Sequence, residues 1–205
     1  MAKKTDHLLH LKKDKLLKKV IKDVGEIRLR KNLDLYHSLM RAIVGQQLSV
    51  KAANTIWNRF LGLFSGGYPS ADKVLKLHDD ELRSVGLSYQ KAGYIKNIAR
   101  FSVDETLDYK KLKKMSDEDL IGYLVQIKGV GRWTVEMILM FNLNRMDVFP
   151  KDDLGIQNGI ISLYGIKPVN KKELFAHMEK ISLPWQPYRT LACMYIWRHK
   201  DSLKK

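Results

Sequence analysis

The sequence predicts an all-α protein, and three observations carry that prediction. Apolar residues recur at helical spacing almost throughout the 205 residues. Alternating runs of β-branched residues, the mark of strands, are few. Five prolines leave still less room for sheet. Helices are expected near residues 6–23, 34–46, 49–64, 71–77, 79–84, 88–102, 116–126, 131–142, 152–164, 170–180 and 187–199. Ser65-Gly66-Gly67-Tyr68-Pro69 is a clear break, and Ser70 is placed to cap the helix that follows. Ser116 sets a hydroxyl three residues before Asp119, a helix-start pattern. Pro184 and Pro187 bracket Trp185 and precede the last helix. Leu82–Leu87 and Leu124–Val130 echo each other: each runs from a helix end through a glycine into a new helix. This is shared turn chemistry rather than a repeat.

The chain is strongly basic, with a formal net charge of +15. Residues 1–31 hold eleven Lys/Arg and four Asp/Glu, so they carry +7 of it. The remainder stays basic, which argues for a polyanionic partner. The lysines of the N-terminal segment form a solvated face that strengthens attraction to such a partner. The one cysteine, Cys193, excludes an internal disulfide, a cysteine zinc site and a four-cysteine iron–sulfur cluster. Six histidines show no metal-ligand spacing; His7 and His10 share a helix face, but two ligands make a weak site. No apolar run approaches the ~20 residues a membrane span needs. The basic N-terminus is interrupted by Asp6, His7 and His10 and lacks a signal-peptide core. A cytoplasmic protein, away from membranes, is expected.

The most informative stretch is Leu124–Ile156. Within it Ile127-Lys128-Gly129-Val130-Gly131-Arg132 reads as a hairpin between helices. Gly129 can take the left-handed conformation that ends a helix. Gly131 lets another backbone approach closely. The new helix then presents free N–H groups and its positive end, an anion site that can hold a phosphate without reading sequence. Lys128 and Arg132 add charge. An ordinary helix–turn–helix corner would use the same glycines. The apolar residues before the hairpin, Trp133-Thr134 after it and the basic composition favour the anion site.

Asp152 and Asp153 follow Val148-Phe149-Pro150-Lys151 at a second helix start. A helix cap plus a first-turn acid accounts for one of them and less well for both. A carboxylate at a helix N-terminus is biased to stay ionised. It then serves as nucleophile, electrostatic stabiliser or water-orienting base, but not as an acid. Glycoside cleavage usually needs two carboxylates, because a poor leaving group must be protonated. One suffices when the leaving group is already cationic, as an N-alkylated purine is.

These segments resemble the helix-hairpin-helix DNA glycosylases, the superfamily that includes endonuclease III, and within it the DNA-3-methyladenine glycosylase II (AlkA-like) branch. The resemblance spans about residues 34–200. It rests on GVGRWT at 129–134, DVFPKDDLGI at 147–156, RAIVGQQLSVKAA at 41–53, and Trp185-x-Pro187-x-Arg189 followed by LACMYIW. It implies an all-α fold of two helical subdomains flanking a cleft. One subdomain would run from about 36 to 145 and contain the hairpin. The other would combine about 1–35 with 146–205. The resemblance would be to the compact form, without the N-terminal β-rich domain of the best-known bacterial member.

By the same resemblance Asp153 is the catalytic carboxylate, since it begins the family's D-x-x-[IV] as Asp153-Leu-Gly-Ile156, and Asp152 is a supporting neighbour. Members that also cleave the strand carry a lysine where this chain has Trp133, and a tryptophan cannot attack the sugar. The enzyme is therefore expected to be monofunctional, with water as the final nucleophile, no cofactor and no iron–sulfur cluster. The DNA-binding hairpin would be Lys128, Gly129, Val130, Gly131, Arg132 and Thr134. Backbone carbonyls of Val125, Ile127 and Val130 match positions that coordinate Na+ or K+ in some members. Trp133 and Trp185 match an aromatic base pocket, and Met137, one turn on, lines it or packs in the core. A cationic base over an indole gains roughly 0.5–2 kcal/mol. The family flips its target nucleotide out of the stack. By motif position Gln47 fills the vacated space, although many relatives of this branch have an apolar residue there. Leu87 matches a second wedge on the opposite strand. Their ordinary alternatives are a helix-capping amide and a core contact.

The expectation is thus a monomeric glycosylase acting on double-stranded DNA that contains 3-methyladenine or 7-methylguanine. Two other readings are open: a non-catalytic DNA-binding or damage-sensing protein, and the same fold acting on deaminated or mismatched bases.

Overall fold

The computed structural model describes residues 6–29, 32–105 and 107–202 of the chain. Every regular element among the described residues is helical. The chain divides into two compact units, 31–143 and the pair 1–30 with 144–205.

The first unit holds α3 (Leu35–Gly45), α4 (Val50–Gly62), α5 (Ala71–Lys76), α6 (Asp79–Ser84), α7 (Tyr89–Asp104), α8 (Tyr109–Leu112), α9 (Asp117–Leu124) and α10 (Arg132–Phe141). Its core gathers on α7, which packs against α3, α5 and α6. Leu39, Met40 and Ile43 of α3 and Ile95 and Ile98 of α7 are fully buried. α10 packs on α3 and α9. Local caps fix where these helices start. Ser116 accepts the Asp119 amide at 3.1 Å and donates its hydroxyl to the Asp119 carboxylate at 2.6 Å. Ser70 occupies the cap position of α5 in extended backbone, but its side chain makes no capping bond.

The other unit holds α1 (Asp6–Leu11), α2 (Lys15–Val24), α11 (Leu154–Tyr164), α12 (Lys171–Ser182), a 3-10 turn at Leu183–Trp185, and α13 (Arg189–Ser202). The helix expected over 6–23 is broken in two. Asp14 is the reason: its carboxylate accepts the Leu16 and Leu17 amides at 2.9 and 3.0 Å, which starts a new helix. Val20 and Ile21 of α2 and Leu191 and Ala192 of α13 are buried, and α13 packs on both α2 and α11. Gly159 sets how closely α11 meets α13, since a Cβ there would lie 2.2 Å from Ile196 Cγ2.

Candidate functional site

In the 31–143 unit the two hairpin glycines do different work. Gly129 has φ +106°, a region that penalises any side chain, and an added Cβ would sit 2.2 Å from Tyr94 Cγ. It is required by the fold. Gly131 is the N-cap of α10, with φ −97° and no side-chain capping bond, and a Cβ there would meet nothing within 4 Å. The fold does not need it. What it leaves is open space in front of the first-turn amides of α10, which no carbonyl of their own helix can reach. Ile127 and Val130 are buried and anchor the hairpin from beneath.

The hairpin side chains divide. Lys128 is exposed and its ammonium has no partner among the described residues. Arg132 is engaged: its guanidinium bonds Glu118 at 3.1 Å and approaches Glu136 at 3.4 Å. The Glu118 hydrogen bond is the main reason its pKa rises further. Its guanidinium is paired on the protein surface, with Glu118 exposed beside it, so it stays within reach of solvent. Thr134 is 2% exposed, so its hydroxyl does not face a ligand and only its amide belongs to the site. Trp133 is 39% exposed, and Met137 is half-buried one turn on.

Of the two wedge candidates, only Gln47 stands on the surface. It is exposed and left-handed, with φ +57°, in the turn after α3. It caps neither helix: Gln46 is the C-cap of α3 and Ser49 the N-cap of α4. Leu87 is 4% exposed and packs in the core, so in this structure it does not project.

Sequence reasoning missed what holds this turn. Lys91 donates to the carbonyls of Val44 and Gln46 at 2.9 and 2.7 Å. Gln46 Nε2 donates to the Gly129 carbonyl at 3.2 Å, and Asn97 Nδ2 to the Lys128 carbonyl at 3.1 Å. The only sequence signal was the i, i+3, i+6 spacing of Lys91, Tyr94 and Asn97 on α7.

In the other unit Asp153 caps α11. Its Oδ1 accepts the Ile156 amide at 2.8 Å and the Trp197 indole N–H at 2.9 Å. Gly155 makes this approach possible: a Cβ there would lie 2.8 Å from both Asp153 Oδ1 and Trp197 Nε1. That glycine, inside Asp153-Leu-Gly-Ile156, was a readable signal for an aromatic donor. Asp152 is exposed and paired with Lys171 at 3.0 Å. The segment before Asp153 is fixed by Arg189, which forms a two-pronged ion pair with Asp147 (2.8 and 2.9 Å), and by Thr190, which donates to the Arg145 carbonyl at 2.6 Å. Two sequence motifs, Asp147-Val-Phe-Pro and Trp185-x-Pro187-x-Arg189, are therefore halves of one clamp.

Trp185 is 1% exposed, with Phe149 and Tyr164 as ring neighbours and its indole N–H on Asp14 at 3.1 Å. No ring face is open for a base to stack on. Asp14, unnoticed in the sequence, also accepts the Tyr164 hydroxyl at 2.6 Å. Burial raises the Asp14 pKa, but the Leu17 amide, Tyr164, Trp185 and the Leu16 amide outweigh it, leaving the value below the ordinary one.

Against known proteins, residues 40–184 match the profile of the HhH-GPD superfamily base excision DNA repair proteins. The chain is 37% identical over 191 residues to DNA-3-methyladenine glycosylase 1 of Schizosaccharomyces pombe, covering 90% of this chain and 82% of that protein. A solved structure of the S. pombe 3-methyladenine DNA glycosylase in complex with abasic DNA superposes with a TM-score of 0.86 at 36% identity, over 96% of this chain and 97% of that one. The crystal structure of a DNA-3-methyladenine glycosidase from Bacillus halodurans superposes with a TM-score of 0.80 at 32% identity, over 100% and 93% of the two chains.

Proposed function

Because the chain belongs to the HhH-GPD superfamily of base excision DNA repair proteins, we propose that it is a monofunctional DNA glycosylase. Its substrate is double-stranded DNA carrying alkylated purines, chiefly 3-methyladenine and 7-methylguanine. Its product is an abasic site in an intact strand. The observation that carries this reading is the wiring of Asp153. Its Oδ1 accepts from the Ile156 amide and the Trp197 indole, so the carboxylate is held as an acceptor at the positive end of α11. A group held in that way stabilises positive charge that develops beside it.

The chemistry needs no more. An N-alkylated purine already carries a positive charge. When its glycosidic bond breaks, the electron pair goes to the base, which leaves neutral, and the cationic character passes to the sugar. Asp153 stabilises that oxocarbenium-like sugar and orients the water that adds to the anomeric carbon, whose second proton goes to solvent. Trp133 stands where strand-cleaving relatives carry a lysine, so no covalent sugar adduct forms. Its exposed indole takes the cationic base, and Met137 supports it. We give Trp185 a structural role because its ring is enclosed.

The hairpin holds a DNA phosphate through the amides that open α10, with Lys128 beside them. Gln47 fills the gap left by the flipped nucleotide. No cofactor is required. A Na+ or K+ ion at the carbonyls of Val125, Ile127 and Val130 is compatible with the hairpin: the Ile127 carbonyl accepts one hydrogen bond, from the Val130 amide at 2.9 Å, and keeps a second lone pair. The protein acts as a monomer.

The test is incubation with methylated duplex DNA, chromatography of the released bases and electrophoresis of the strands without added alkali. Released methylpurines with intact strands support the reading. DNA binding without base release would replace it with a damage-sensing role. Nicks made by the enzyme would overturn the monofunctional assignment, and release of only deaminated or mismatched bases would move the substrate class.

A further inference from the structure

We infer that Lys91 is a positioning residue, which sets the Gln47 turn against the phosphate hairpin and so couples insertion of the wedge to the grip on DNA. Lys91, Tyr94 and Asn97 recur every three residues and share one face of α7. Each touches one of the two turns. Lys91 takes the Val44 and Gln46 carbonyls, which lie at the end of α3 where helical partners run out. The second of these belongs to the Gln46–Gln47 peptide, whose orientation sets φ of Gln47. Gln47 is held at φ +57°, a region that a residue with a side chain occupies only when its surroundings fix it. Tyr94 packs its ring where Gly129 lacks a side chain, and Asn97 holds the Lys128 carbonyl. The Gln46 amide closes the triangle on the Gly129 carbonyl. One helix face therefore braces both turns. Burial of the ammonium lowers the Lys91 pKa.

This inference rests on Gln47 acting as the wedge. The test is a duplex with an abasic analogue and 2-aminopurine beside it, whose fluorescence reports unstacking. Lys91→Met is expected to cut the fluorescence gain and the single-turnover excision rate about tenfold, while affinity for undamaged duplex changes less than about twofold. Lys91→Arg should restore part of the loss. If Lys91→Met does not fold, Gln46→Ala removes only the Gly129 link and should lower the same signal. Normal unstacking in these variants, with Gln47→Ala defective, overturns the brace and leaves the wedge standing. Normal unstacking in Gln47→Ala overturns the wedge and the brace with it, while base release still tests the glycosylase reading separately.

A different observation, on α2, carries a second inference: we propose that its lysine stripe is an auxiliary contact for the phosphate backbone of duplex DNA. Lys15, Lys18, Lys19 and Lys22 lie on one face of the helix, and with Lys12 they line a groove of about 500 Å³. Leu17, Val20 and Ile21 on the opposite face are buried, so the stripe cannot turn inward. All five lysines are exposed and none makes an ion pair among the described residues, nor does Asp23, the one carboxylate within the helix. Like charges three and four residues apart repel, and a polyanion relieves that repulsion. From Lys15 to Lys22 the stripe spans roughly 10 Å, enough for about three phosphates of one strand.

Replacing Lys15, Lys18, Lys19 and Lys22 together by Gln should weaken undamaged-duplex binding about tenfold. It should also flatten the salt dependence by about two to three, at roughly 0.9 for each phosphate that is no longer neutralised. The same four-charge loss at Lys110, Lys111, Lys113 and Lys114 is the control. An unchanged salt slope, or an equal change in the control, overturns the stripe. Either result leaves base release by the unmodified protein as the independent measure of its activity.

Discussion

α10 and α11 both begin at a residue in extended backbone, and they use the positive end of the helix in opposite ways. At α10 the N-cap is Gly131, which supplies no capping group. At α11 it is Asp153, whose own carboxylate takes the Ile156 amide. One start is left open for an anion from outside. The other carries its anion built in, fixed further by the Trp197 indole. Leaving α10 open costs little, because glycine at an N-cap is only a few tenths of a kcal/mol worse than the best residues. The same local geometry can therefore serve binding at one helix and chemistry at another. The difference is one side chain at each cap.

Asp153→Asn should have the largest effect on this contrast between the two helix starts. Asparagine caps a helix about as well as aspartate, so α11 should stay formed and thermal stability nearly unchanged. Only the negative charge is lost. Single-turnover excision is expected to fall by about 10²–10³-fold, with duplex affinity retained. Near-normal excision would reduce Asp153 to a cap like any other.

Gly129→Ala tests whether the hairpin is a built site or a passive corner. The methyl would meet the Tyr94 ring in a backbone region that already penalises it. A loss of about 3 kcal/mol in urea unfolding is expected, with weaker DNA binding. A mild effect would mean that Tyr94 moves aside freely, which would also loosen the proposed brace.

Gly131→Asp makes the start of α10 resemble that of α11. The position has room, and its φ of −97° suits any residue. Stability should hold or rise slightly. A fixed carboxylate would then occupy the place proposed for a DNA phosphate, and affinity should fall about tenfold in a filter-binding or anisotropy titration. Unchanged affinity would remove the hairpin from the DNA interface. Gly131→Ala serves as the neutral partner, separating the added charge from the lost space.

These tests also show what the sequence could and could not carry. Helical periodicity and turn residues announced most of the helices, because both are local properties. The break at Asp14 was missed although its cause is local, because a capping aspartate inside a lysine-rich periodic stretch looks like one more polar position. Its other two partners, Tyr164 and Trp185, lie 150 and 171 residues away and were beyond local reading. The motif spacing singled out Gly129, Gly131 and the Asp152–Asp153 pair, and the family resemblance chose Asp153 from that pair. A core contact for Leu87 stood as the alternative to a wedge, but nothing foretold that Thr134 turns inward, that Trp185 is enclosed, or that Arg132 is held by Glu118 and Glu136. The enclosure of Trp185 depends on neighbours from distant segments, whereas the Arg132–Glu136 contact is an i, i+4 pair within α10. Gly155 was the missed opportunity, since a glycine two residues after a capping aspartate leaves room for a large side chain from elsewhere.

Asp14 supplies the control for Asp153, and the smallest expected effect. Both aspartates cap a helix, and both accept an indole N–H. Asp14, however, also takes the Leu17 amide and the Tyr164 hydroxyl, which marks it as a structural acceptor. Asp14→Ala should cost about 1–2 kcal/mol of stability, while excision by the folded protein stays unchanged. The pH dependence has a definite sign. The folded pKa of Asp14 lies below its ordinary value, so the carboxylate's contribution is fully present above about pH 4. It is lost as pH falls through the lower, folded value. Urea midpoints of the two proteins should therefore differ by a constant amount near neutrality and converge in acid. A gap that persisted at low pH would mean that packing around Trp185, rather than the charge, is what Asp14 provides. A loss of excision in folded Asp14→Ala would show that the two capped indoles are not independent, and the distinction between a structural and a catalytic aspartate would fail.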